Sequence, residues 1–152
     1  SFKKAYWDKL KEDLDNKKYE SVLLILEEIR ARIALMVPNR VDIHQQMAEY
    51  IDIEFIKQML DNDVLENTFM CNLVHYIVDK LKEFEAPVYN KDTEKWRDDI
   101  NKLFLADIKH SDFFPIFFKK VYEKIEKIEE DIKIVKGSDF YKEIKKQKSI
   151  HK

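Results

Sequence analysis

The 152-residue chain is 45% apolar and 38% charged with a formal net charge of -2, a globular balance with a high charged share. That near-neutral charge supplies no global field for nucleic acid. One Gly and three Pro leave few turn-formers for the hairpins of a β-rich fold. The reading is therefore all-α: a compact bundle of about seven to eight helices around a central apolar helix at residues 19–37, in one domain spanning 1–152.

Taken in order, Phe2 to Leu14 reads as a first helix with Ala5, Tyr6, Leu10 and Leu14 near one face, and Asp15 with Asn16 as caps for the central helix. In the central segment Val22, Leu23, Leu26, Ile29 and Ile33 form a stripe. Leu24, Ile25, Ala31 and Ala34 spread apolar surface onto its other sides, which predicts a helix covered from several directions. Pro38 stops it. Asn39 and Asp42 stand at capping-box spacing before a short helix with Ile43, Met47, Tyr50 and Ile51. Asp52 restarts a fourth with Ile53, Ile56, Met59 and Leu60. Asp61 to Asp63 is turn chemistry, and Asp63 with Glu66 predicts the start of a helix over 64–84, striped by Met70, Val74, Ile77 and Leu81. Ala86-Pro87 ends it. A sixth helix over 92–106 brings Trp96, Ile100 and Leu103 together.

The last long helix, near 112–136, starts at Ser111 or Asp112 with Pro115 in its first turn. Phe114, Phe118, Val121, Ile125, Ile128, Ile132 and Val135 make a heptad seam. The seam predicts internal packing, with a homo-oligomer docking face as the other reading. Gly137 is read as its stop, and Ser138 as the cap of a short final helix that frays into a lysine-rich tail from Tyr141 to Lys152. The tail could touch an acidic partner or lipid.

Candidate chemistry is sparse. Cys71 and His75 stand four apart, as metal ligands can, but a zinc site needs three or four ligands, so a packed thiol and a hydrogen-bonded imidazole are the simpler reading. Asp107 and His110 form one lone D-x-x-H, short of the paired motifs of carboxylate metal bundles. Glu27 and Glu28 point about 100° apart on a helix, so they cannot act as an acid/base pair; Glu28 pairs instead with Arg32. No Gly-rich phosphate loop can form around a single Gly137. No cofactor and no catalytic residue is expected. Phe113, Phe114, Phe117 and Phe118, beside Lys119 and Lys120, read as core or as a partner-binding groove. Apolar runs such as Val22 to Leu26 and Phe113 to Phe118 fall far below the ~18 residues of a membrane span. No secretory leader is read, and a single Cys71 cannot form an internal disulfide, so a cytoplasmic location is expected. The start on Ser1 reads as one piece of a longer protein.

Four stretches carry a resemblance: AYWDKLKEDL (Ala5 to Leu14), YESVLLILEEIR (Tyr19 to Arg30), YIDIEFIKQ (Tyr50 to Gln58) and EAP (Glu85 to Pro87). In that order and at similar separations they resemble the T-complex protein 11 family, in the amino-terminal part of its domain. The matching positions include Glu27, Glu28, Arg30, Asp52, Gln58, Ala86 and Pro87. Where the family commonly has an arginine-aspartate pair after Ala86-Pro87, this chain has Val88, Tyr89 and Asn90. The resemblance implies a non-enzymatic helical interaction module, a regulator of cyclic-AMP and protein-kinase-A signalling with signalling or cytoskeletal protein partners. A membrane-apposed structural protein and a metal-dependent helical enzyme are the competing classes.

Overall fold

The computed structural model describes residues 2–150, and the side chains of residues 3–137 and Lys146. Among the described residues there are seven α-helices and no strand: α1 (Phe2–Asp15), α2 (Glu20–Met36), α3 (Val41–Tyr50), α4 (Ile53–Asp61), α5 (Asn67–Phe84), α6 (Asn90–Leu105) and α7 (His110–Ile150), with one 3-10 turn, Pro87–Tyr89, before α6. α2 lies at the centre and contacts α1, α3, α4, α5 and α7. Its stripe of Val22, Ile25, Leu26, Ile29 and Ile33 is buried. It is not covered all round, because Ala31 faces solvent, and Leu24 and Leu35 are 59% and 74% exposed. The helix thus keeps an outer face, which carries Glu27 and Glu28 as well.

A single core joins α2 to Met70, Leu73, Val74, Ile77, Val78 and Leu81 of α5 and to the α7 seam. Phe113, Phe114, Phe117 and Phe118 are all at most 2% exposed and stack on one another, Phe113 on Phe117 at 5.4 Å and Phe114 on Phe118 at 5.2 Å between ring centroids. They seal the joint between α6 and α7, where Trp96 stacks on Phe117 and Phe104 leans on Phe113. In α1 the buried face is Leu10 and Leu14 with half-buried Trp7, whereas Ala5 and Tyr6 face outward.

With one glycine available, the chain ends three helices by an unusual route. Lys17, Asp63 and Asp107 take φ values of 57°, 56° and 54°. In each case two hydrogen bonds close the helix end: Lys18 N to Asp13 O with Lys17 N to Leu14 O, Val64 N to Met59 O with Asp63 N to Leu60 O, and Ile108 N to Leu103 O with Asp107 N to Phe104 O. These are Schellman closures of α1, α4 and α6, built on left-handed residues that are not glycine. Two of these closures take up residues expected to cap the next helix, and with Asn39 three expected caps are corrected. Asp15 and Asn16 do not cap α2, whose first turn follows Tyr19 with no side-chain bond. Asn39 does not cap α3, where Arg40 instead grips Asp42 at 2.8 Å and holds its carboxyl at about 2. α5 begins at Asn67 rather than 64, after Glu66 and not Asp63. Asp52 is the expected cap that forms, accepting from Phe55 N at 3.0 Å. Pro38 ends α2 as expected, and His44 Nε2 sits 3.0 Å and 2.9 Å from the Ala34 and Val37 carbonyls at that end.

α7 departs furthest from expectation. It begins at His110, so Pro115 is in its second turn, where the ring costs one backbone bond. It also runs through Gly137 and Ser138 as one helix of 41 residues, about 60 Å long. A lone glycine costs only about 1 kcal/mol in a helix and does not stop it. The seam is buried from Phe114 to Ile128, half-buried at Ile132 and 59% exposed at Val135. Internal packing uses it, leaving no full seam for a second chain. Apart from Lys146, which is exposed, the lysine side chains of the tail lie outside the described ones.

Candidate partner-docking cleft

The stretches that carry the resemblance meet as joints between helices. Arg30 Nη1 donates to the Ile51 carbonyl at 2.9 Å, next to Asp52 and its cap, so α2 holds the corner between α3 and α4. Glu85 is buried where α5 ends. It accepts from Thr93 Oγ1 at 2.6 Å and from Lys124 Nζ of α7 at 3.2 Å. Ala86 precedes the 3-10 turn and Pro87 opens it, a position where the missing N–H costs nothing. Glu27 and Gln58 face solvent.

Glu28 has a different setting. It accepts from the Tyr122 hydroxyl at 2.9 Å and pairs with Arg32 at 3.5 Å. Arg32 donates from Nε to Glu129 at 3.1 Å and from Nη2 to the same carboxylate, with its guanidinium 5.7 Å from the Tyr122 ring centroid. The Glu129 hydrogen bond raises the Arg32 pKa. Burial, then the Glu28 hydrogen bond and charge, raise that of the Tyr122 hydroxyl. Glu28 and Arg32 of this network floor a cleft of about 330 Å³ between α1, α2 and α7, walled by Tyr6, Trp7 and Tyr122 and rimmed by Lys3, Lys119, Glu123 and Glu126. Tyr6 meets Trp7 edge-on at 4.9 Å, and Trp7 meets Tyr122 at 6.0 Å. Tyr6 is 44% exposed, and Trp7 and Tyr122 are half-buried. Amphipathic rings at the mouth of a charged cleft offer apolar area with polar handles, the makeup of a protein docking site.

The residues expected to bind a partner divide. The four phenylalanines are interior and cannot present a groove. Lys120 is tied to Asp92 at 3.4 Å, and only Lys119 reaches the cleft. Sequence reasoning does not single out Tyr6, Trp7 and Tyr122 for binding, because three rings on two helices far apart in the chain share no spacing rule; the signal is an aromatic surplus beyond what the seam of α7 needs. A second cleft, about 180 Å³, gathers Lys120, Lys124 and Lys127, but Asp92, Glu85 and Asp131 answer those charges, so no net field remains for an anion. His75 Nε2 lies 2.6 Å from Asn101 Oδ1, Cys71 is half-buried, and no set of three His, Cys, Asp or Glu suited to a metal occurs among the described residues. Among those residues no helix is long and apolar enough to cross a membrane.

No solved structure matches this chain. The family described as T-complex protein 11 matches residues 1–135, the span that contains every joint described above, and the chain belongs to that family.

Proposed function

We propose that this chain is a non-enzymatic helical interaction module that seats a protein partner in the α1–α7 cleft and thereby regulates cyclic-AMP and protein-kinase-A signalling in the cytoplasm. The observation that carries the docking reading is the trio of part-exposed rings, Tyr6, Trp7 and Tyr122, over the Glu28–Arg32–Glu129 network. The bundle already has a closed core of its own. Tyr6 stands outside that core, and Trp7 and Tyr122 pack against it while staying part-exposed; rings left part-exposed at a charged mouth anchor partners. The signalling role rests on family membership.

The test is capture of signalling or cytoskeletal proteins from cytoplasmic extract, with kinase output measured after cyclic-AMP stimulation. Tyr6→Ala and the rim reversal Lys119→Glu should each weaken capture, the first by about 2 kcal/mol or roughly 30-fold in Kd. Loss of capture with unchanged helical content supports the cleft. Equal capture by wild type and both variants refutes it, and an unchanged kinase response on deletion refutes the signalling role.

A further inference from the structure

The helix α7 outlasts the body it belongs to. All residues from Lys133 to Gly137 are exposed, while the backbone stays helical to Ile150. Past the half-buried Ile132 the helix continues for eighteen residues to Ile150, roughly 27 Å. On the side opposite the core seam, a second stripe at three- and four-residue spacing runs Glu123, Glu126, Glu130, Ile134 and Gly137, every one exposed. Ile134 is 64% exposed, and a methyl group placed at Gly137 meets nothing within 4 Å. In sequence the same spacing continues through Tyr141, Ile144 and Lys148. The stripe is therefore acidic at one end, apolar around its glycine and basic at the other.

We propose that this stripe pairs α7 antiparallel with α7 of a second copy of the chain, in a register centred on Gly137. The charge order selects that arrangement. Antiparallel pairing sets Glu126 against Lys148, each eleven positions from Gly137. Parallel pairing sets Glu123, Glu126 and Glu130 against their own copies, and like charges across a helix pair repel. The only glycine of the chain falls at the crossing point, where absence of a side chain lets two backbones approach most closely. That gives a reason for a helix-interior glycine that packs against nothing in the single chain. The paired face is not the heptad seam, which the core already occupies.

Sedimentation equilibrium on the full chain should show a dimer that weakens as salt rises. Ile134→Lys should weaken it roughly tenfold or more with helical content unchanged, since Ile134 touches no core. Lys148→Glu should weaken it too, and adding Glu126→Lys should restore it. Under mild oxidation Gly137→Cys should form an intermolecular disulfide faster than Lys148→Cys, with the wild-type chain and its single Cys71 as control. A chain that stays monomeric at high micromolar concentration overturns the proposal. So does a dimer indifferent to Ile134→Lys, or one in which Lys148→Cys cross-links as readily as Gly137→Cys.

Discussion

Replacing Lys124 with Met isolates an ion pair that lies deep in the bundle. The Lys124 and Glu85 side chains are 9% and 2% exposed and meet at 3.2 Å. Taking both from water costs several kcal/mol per ion, which mutual attraction offsets only while both are present. Lys124→Met keeps the aliphatic stem and removes the charge, leaving Glu85 with Thr93 Oγ1 at 2.6 Å and, with its amide nitrogen turned inward, Asn90 at 3.0 Å. Breaking a buried pair from one side costs about 3–5 kcal/mol, and the two remaining donors put the expected loss at the lower end, about 3 kcal/mol. For a chain of this length that is a fall in Tm of about 6–12 °C. Removing both charges in Lys124→Met/Glu85→Leu should recover most of it, because Thr93 retains the Tyr89 carbonyl at 3.3 Å as acceptor. Asp92 also approaches Lys124, at 3.0 Å, but is 59% exposed, so Asp92→Asn should cost no more than about 1 kcal/mol. Urea unfolding monitored by circular dichroism at neutral pH reads all three. A loss under about 1 kcal/mol for Lys124→Met, or a double variant as unstable as the sum of the singles, refutes the argument.

Other outcomes rest on burial and backbone shape. Lys17→Gly should raise stability by about 1 kcal/mol in a thermal melt, since Lys17 holds a left-handed φ of 57° at a cost of about 1–2 kcal/mol and its side chain is 71% exposed. Phe118→Ala should cost about 3–5 kcal/mol, because Phe118 is 0% exposed. Leu35→Ala, at 74% exposed, should stay within about 0.5 kcal/mol in the same urea assay. His110 has its pKa lowered from 6.5 by burial, against the raising pull of Asp107 and Asp63. Protonation therefore favours the unfolded chain: the contribution is present above about pH 6.5 and is lost as pH falls through the lower folded value. Urea midpoints at pH 7.5 and 5 should differ less in His110→Gln than in wild type, and an equal difference in both would remove His110 as the cause.

Legibility in the sequence depends on the kind of signal. Long apolar periodicity is readable, as in the α7 seam from Phe114 to Ile128 and the α5 stripe from Met70 to Leu81, because burial enforces a helical period. Helix ends are less so. Asp52 is readable as a cap since its side chain bonds the backbone three residues on. Asp63 looks the same in sequence yet closes α4 from the C-terminal side, and only backbone torsion separates the two uses. Leu24 and Leu35 lie on the same helix as Ile25 and Ile33, and which of them meets solvent depends on neighbours placed by the whole fold. Gly137 and Ser138 read as a break when local propensity is weighed without the turns on either side that carry the helix through.

The resemblance is legible for a physical reason that also limits what it says about function. Arg30 on the Ile51 carbonyl and Glu85 on Lys124 are each a part-buried or buried polar contact between separate helices, and a buried donor or acceptor left without its partner costs about 1–3 kcal/mol. Positions of that kind tolerate few side chains, so short stretches around them suffice to identify the architecture. The mouth of the α1–α7 cleft is under no such constraint: Tyr6, Lys119, Glu123 and Glu126 face solvent, and surface changes of this sort move stability little. A fold held by polar joints and a surface free to vary can seat different partners on one scaffold. Glu85 and Arg30 variants should therefore act through folding, whereas Lys119 and Tyr6 variants should act through binding. A partner-binding defect from Glu85→Ala at full stability would contradict that division.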